Sequence, residues 1–227
     1  MSERNQDMTS LHYLLVQFRS SCPMIGLILV VSAILIGAVV FLRLVKGIPT
    51  GDLTNDPSEI GGLPAYAGFL SQIGIFFWSA SATVCFFCVT VLPRHTDRHH
   101  LKRFLLISGL LTLFLGLDDT FLLHESVFPY FGIPEKFVFG SYGAFVLLYL
   151  FRFYPLILET EFVLMAIALF FFGVSIILDL LLPIGIFRSY LFEDGPKLIG
   201  IVSWLAYFLR VGKYSVTLDT AQKKFKK

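Results

Sequence analysis

Phe104 to Glu125 reads FLLISGLLTLFLGLDDTFLLHE, and this stretch decides what kind of chain it belongs to. No charge falls between Phe104 and Leu117, as expected of a helix in a bilayer core, which about 20 apolar residues cross. Asp118, Asp119, His124 and Glu125 then follow at its end, within about two helical turns. A charged group at hydrocarbon depth costs about 2.5–3.5 kcal/mol on insertion scales, so this cluster marks a candidate site as well as the end of a span.

The rest of the chain repeats the apolar pattern. Of 227 residues, 56% are hydrophobic and only 15% charged, against about 25% charged in a typical soluble domain. An all-α, polytopic transmembrane bundle of about six spans is expected. The spans read as Met24–Val45, Ala65–Leu92, Phe104–Leu123, Phe137–Tyr154, Phe162–Leu182 and a short Lys197–Arg210. The first is too long for a signal-peptide core and lacks a small-residue cleavage site after it, so it is read as an uncleaved anchor. The domain organisation follows: an N-terminal cytoplasmic segment (1–23), a six-helix membrane domain (24–210) and a basic tail (211–227). No internal repeat marks an inverted-repeat transporter.

Basic residues in short loops mark the cytoplasmic side. The loop Pro93–Arg103 carries Arg94, Arg98, Lys102 and Arg103, and the tail carries Lys213, Lys223, Lys224, Lys226 and Lys227. Both are therefore expected inside, with both termini cytoplasmic. Small size and short loops suggest the bacterial inner membrane. The net charge of +2 is spread over loops and tail, which gives no reason to expect nucleic acid. Membrane lipid is the expected surrounding partner.

This orientation gathers acids from three elements at the outer leaflet. Asp118, Asp119, His124 and Glu125 end the third span, Asp179 closes the fifth, and Glu193 and Asp194 precede the sixth. Helical spacing puts Asp119 on the stripe of Thr112 and Gly116, facing the bundle, and stacks His124 over Thr120. Asp118 and Glu125, seven apart, share another face. Carboxylates with an imidazole suit a divalent metal (zinc, manganese, magnesium or calcium), with Asp118, Asp119, His124, Asp179 and Asp194 as ligands. Glu125 is then the expected general base of a metal-dependent hydrolase acting on a lipid or amphiphile. The same acids also suit a proton- or cation-coupled carrier. A third reading is an ion-pair clamp in which Arg43, Lys46, Lys136, Arg188 or Lys197 neutralises the acids. As an acid before a helix start, Asp194 also suits a simple cap.

Other motifs point to packing. Cys85 and Cys88 form a C-x-x-C pair inside a span, and the three cysteines, an odd number, make no disulfide framework. His95, His99 and His100 lie in the basic loop, where headgroup contact is the default reading. Gly140, Ser141, Gly143 and Ala144 form a small-residue face suited to close helix contact, in self-association or as the docking face of a non-catalytic subunit or chaperone of a membrane complex. No P-loop, H-E-x-x-H or G-x-S-x-G motif occurs at a plausible place.

Overall fold

The computed structural model describes residues 2–92, 99–181 and 190–225, and these are helical throughout apart from turns and connectors. Arg94, His95, Asp97, Arg98, Arg188, Lys226 and Lys227 lie outside the described residues. Among the described residues, five helices are long and apolar enough to cross a membrane: Arg19–Lys46, Phe69–Val91, His99–Phe121, Glu135–Leu158 and Phe162–Asp179. The expected sixth span, Lys197–Arg210, is not among them.

The chain forms two units, Met1–Ala67 and Gly68–Lys227. In the first, α1 (Ser2–Lys46) is one continuous helix that runs through Pro23, where the sequence reading places a boundary. A proline removes one backbone donor without necessarily ending a helix. The helix stops at Gly47, whose φ of +68° gives the left-handed turn that terminates many helices. Two short helices follow, α2 (Thr50–Thr54) and α3 (Pro57–Ile60). Asp56 caps α3 by accepting the Ser58 amide at 2.7 Å, with Pro57 in the first turn.

The second unit holds α4 (Phe69–Val91), α5 (His99–Phe121), a π-helical turn (Leu123–Val127), α6 (Phe128–Tyr130), α7 (Glu135–Leu158), α8 (Phe162–Leu181) and α9 (Tyr190–Phe225). The sequence reading has a loop up to Pro196 and a tail after Arg210. Instead α9 is a single helix over both stretches, with Pro196 inside it. Glycines set the helix spacing. A Cβ on Gly109 would lie 2.8 Å from Phe86, and one on Gly116 would lie 3.0 Å from the Trp78 Cβ. These pairs make α4 and α5 antiparallel neighbours. A Cβ on Gly212 would lie 3.0 Å from the Cys88 sulfur and one on Gly74 would lie 3.3 Å from Ile201, so α9 runs parallel to α4.

An aromatic cluster fills the interior, with Phe104, Tyr149, Phe153, Trp204, Tyr207 and Phe208 all buried. In lipid, close van der Waals packing and interhelical hydrogen bonds hold such a core, since the solvent is itself apolar. The hydrogen bonds are present. Trp204 Nε1 donates to Thr112 Oγ1 at 2.9 Å, and the hydroxyls of Ser108 and Tyr149 meet at 2.7 Å. Cys85 and Cys88 are buried free thiols in the same core. Gly140 and Gly143 are exposed, and among the described residues no atom of another helix lies within 4 Å of where their Cβ atoms would be.

Candidate functional site

The last turn of α5 carries Asp118 and Asp119 side by side, and the helix geometry sends them to different partners. Both are buried, at 6% and 9% exposure. Asp119 turns toward α9 and forms an ion pair with Lys197. Asp118 turns toward the chain that follows it.

That chain does not continue as an α-helix. Leu122 adopts φ +50°, a left-handed conformation that costs a non-glycine residue on the order of 1–2 kcal/mol, and the π-helical turn starts immediately after it. Unusual backbone of this kind collects at functional sites. The consequence here is specific. His124 folds back over Asp118 and not over Thr120, as straight helical spacing would place it. Its amide donates to Asp118 Oδ1 at 3.0 Å, and its Nδ1 lies 2.6 Å from Asp118 Oδ2. Tyr142 of α7 donates its hydroxyl to Asp118 Oδ1 at 2.8 Å. The ring's other nitrogen, Nε2, lies 3.3 Å from Glu125 Oε1. Asp118 and Glu125 therefore meet the same imidazole from its two sides.

The imidazole is buried, whereas the Glu125 side chain is half exposed. Burial alone would lower the histidine's proton affinity. The Asp118 and Glu125 carboxylates more than offset that, and the pKa is pushed up to about 9. Glu125 is held below the usual carboxylate range by the hydrogen bond from His124, against an opposing effect of burial, with further help from the charges of His124 and Lys197. At neutral pH the pair is thus an imidazolium beside a carboxylate.

Asp194 joins this end of the bundle through a small cavity. Ser71 and Gly74 of α4, Asp119 of α5, and Asp194 and Lys197 of α9 line a space of about 30 Å³. That volume is enough to hold a water molecule. The four residues Asp118, Asp119, His124 and Glu125, together with Asp194, thus lie at one end of the helical unit. Asp179 is on the last described turns of α8, half-buried.

A divalent ion would have to compete with bonds already made. Both nitrogens of His124 face carboxylates, and Lys197 occupies Asp119. Among the described residues, no group of three or more His, Cys, Asp or Glu is placed to hold a metal ion. A bound ion would therefore have to displace these partners in this arrangement.

Residues 25–211 match a domain family of unknown function, DUF8692. The chain belongs to that family. No curated protein and no solved structure matches it. The matched stretch contains every residue of the cluster, from Ser71 to Lys197.

Sequence spacing misses two participants. Tyr142 gives no signal, since a tyrosine on an apolar helix reads as an interfacial aromatic. The π-helical turn is equally silent, because nothing in Leu-Leu-His-Glu demands a left-handed residue. Lys197 is legible only as one of several basic residues able to neutralise the acids, and the fold selects it.

Proposed function

We propose that this is a six-span integral membrane protein with α9 as the sixth span, and that its Asp118–His124–Glu125 group is the acid–base site of a lipid or amphiphile hydrolase. In this reading both termini are cytoplasmic, the site faces the outer leaflet, and the membrane is a bacterial inner membrane. One observation carries the enzymatic reading: a buried imidazole is oriented through Nδ1 by Asp118 at 2.6 Å while Nε2 faces the half-exposed Glu125. Orientation of a histidine by a buried carboxylate is the arrangement general acid–base catalysis uses.

The roles follow from the charges. Glu125 takes a proton from a water that attacks an ester carbon. His124 gives its proton to the departing alkoxide, and Asp118 with Tyr142 holds the ring for that transfer. The water returns as the acid product's hydroxyl, and the alcohol leaves protonated. Lys197 and Asp119 neutralise each other at the same end of the unit, beside the cavity that they line with Ser71 and Asp194.

The test is turnover of ester-linked lipids by purified protein in proteoliposomes. Removal of a positioned acid or base lowers a rate by about 10²–10⁴-fold, and His124→Gln and Glu125→Gln are expected to fall in that range. Wild-type rates in His124→Gln would sink the proposal. Stoichiometric zinc, manganese, magnesium or calcium retained through purification would replace it with the metal-dependent form.

A proton- or cation-coupled carrier is the second reading, and a run of buried hydroxyls favours it. Thr112, Ser108, Tyr149 and Tyr207 are all buried between the acidic end and Thr160, whose hydroxyl meets Tyr207 at 2.9 Å. Proton flux through proteoliposomes that disappears in Asp119→Asn, without lipid turnover, selects this reading.

A further inference from the structure

We infer that the groove between α4 and α9, at the end of the unit away from His124, binds one anionic phospholipid with an acyl chain in the groove and the phosphate at Lys213. The groove has a volume of about 530 Å³ and is lined by Val84, Phe87 and Cys88 of α4 and Leu209, Gly212 and Lys213 of α9. That volume lies inside the roughly 300–1,000 Å³ range of small-molecule sites. Its floor is close-packed, because Gly212 brings the α9 backbone against the Cys88 sulfur. Its walls are open, with Phe87 and Leu209 both exposed. An apolar channel that is open along the helices and closed beneath fits an extended hydrocarbon chain.

Charge selects the headgroup. Helix directions bring Lys102, Arg103, Arg152, Arg210 and Lys213 to this end of the unit, against the acids Glu159 and Glu161. Glu161 accepts from Arg210 at 2.7 Å and also feels the charge of Lys213, so part of this basic end is already paired, yet among the described residues bases still outnumber acids. Asp118 lies sixteen residues along α5 from Lys102, about 24 Å at 1.5 Å per residue. That approaches the roughly 30 Å of a hydrocarbon core, which puts the acidic cluster and this basic end near opposite headgroup layers. Basic pockets between transmembrane helices are where anionic headgroups bind. The site is independent of the hydrolase reading.

Native mass spectrometry of the full chain released from nanodiscs of equal phosphatidylcholine and phosphatidylglycerol tests it. The wild type is expected to retain one phosphatidylglycerol in preference to phosphatidylcholine. Lys213→Glu, and Val84→Trp to fill the groove, should each lower that retention about tenfold. Lys213→Gln keeps the stem without the charge and should lower it less, which guards against a folding artefact in the other two. Neutralising the tail lysines Lys223, Lys224, Lys226 and Lys227 to glutamine should leave retention unchanged. The inference is overturned if the wild type has no preference, if Lys213→Glu and Val84→Trp retain the lipid normally, or if only the tail variant loses it.

Discussion

Lys197 of α9 closes on Asp119 of α5, an ion pair between residues 78 positions apart that ties the ends of two packed helices together. Asp119 is buried and the lysine side chain is about one-third exposed, so the pair is neither a surface bridge nor a fully buried one. Surface pairs contribute roughly 0–1 kcal/mol, and stranding one partner of a buried pair costs about 3–5 kcal/mol. Lys197→Met is therefore expected to destabilise the unit by about 2 kcal/mol. The double change Lys197→Met with Asp119→Asn should recover most of the loss. Reversible unfolding in bicelles measures both. Equal stability of Lys197→Met and wild type would mean that the pair contributes nothing.

The His124 pair has a defined pH window. The folded-state pKa is raised from 6.5 to about 9, so its stabilising contribution is complete below pH 6.5 and is lost as pH rises through about 9. At about 1.36 kcal/mol per pKa unit, roughly 3 kcal/mol is at stake. Glu125 acts in the opposite direction. Its folded pKa is lowered, so its contribution is present above 4.5 and fades as the solution becomes more acid. The melting temperature should hold near neutrality and fall between pH 7 and 9.5, and His124→Gln should flatten that fall. An unchanged alkaline limb in His124→Gln would show that another group titrates there.

Two glycines with the same residue type should respond in opposite ways. Gly116 lies where a Cβ would come within 3.0 Å of the Trp78 Cβ, an atom fixed to the α4 backbone, so Gly116→Ala must push the helices apart. Overpacking of this kind costs about 1–3 kcal/mol. Gly143 faces open space, and Gly143→Ala should leave the fold's stability within about 0.5 kcal/mol. Loss of a co-purifying protein from a bulky Gly143 variant of normal stability would identify that face as a docking surface.

The buried bond from Trp204 to Thr112 should be sensitive to a nearly isosteric change. Thr112→Val keeps the volume and strands the indole N–H, which costs about 1–3 kcal/mol for a buried donor. The shift is readable in the same unfolding assay. A neutral result would mean that water replaces the hydroxyl.

Orientation is open to direct measurement. Tyr130, highly exposed beside the acidic end, and Lys102 at the basic end are suitable labelling positions. A cysteine at Tyr130 should react with an impermeant maleimide in intact cells, and one at Lys102 only after lysis. The reverse pattern would invert the topology and place the acid–base group in the cytosolic leaflet.

How much of this was legible in the amino-acid order follows from the range over which each signal acts. Runs of apolar residues long enough for a bilayer mark the helices around Phe69–Val91 and Glu135–Leu158, because spanning lipid demands internal backbone pairing over a set length. The α9 boundaries were not legible, since Pro196 and Arg210 read as stops while packing against α4 and α8 sustains the helix through both. The acids at the end of α5 were visible as a candidate site from the cost of charge in hydrocarbon alone. Which base each acid takes was not. Helical periodicity orders side chains only along their own helix, and it ends at Leu122, where one left-handed residue sends His124 back to Asp118. Lys197 reaches Asp119 because Gly74 of α4 leaves room for both Ile201 of α9 and the Asp119 carboxylate of α5, and a contact of that kind is decided by the shapes of packed helices and not by spacing along any one of them.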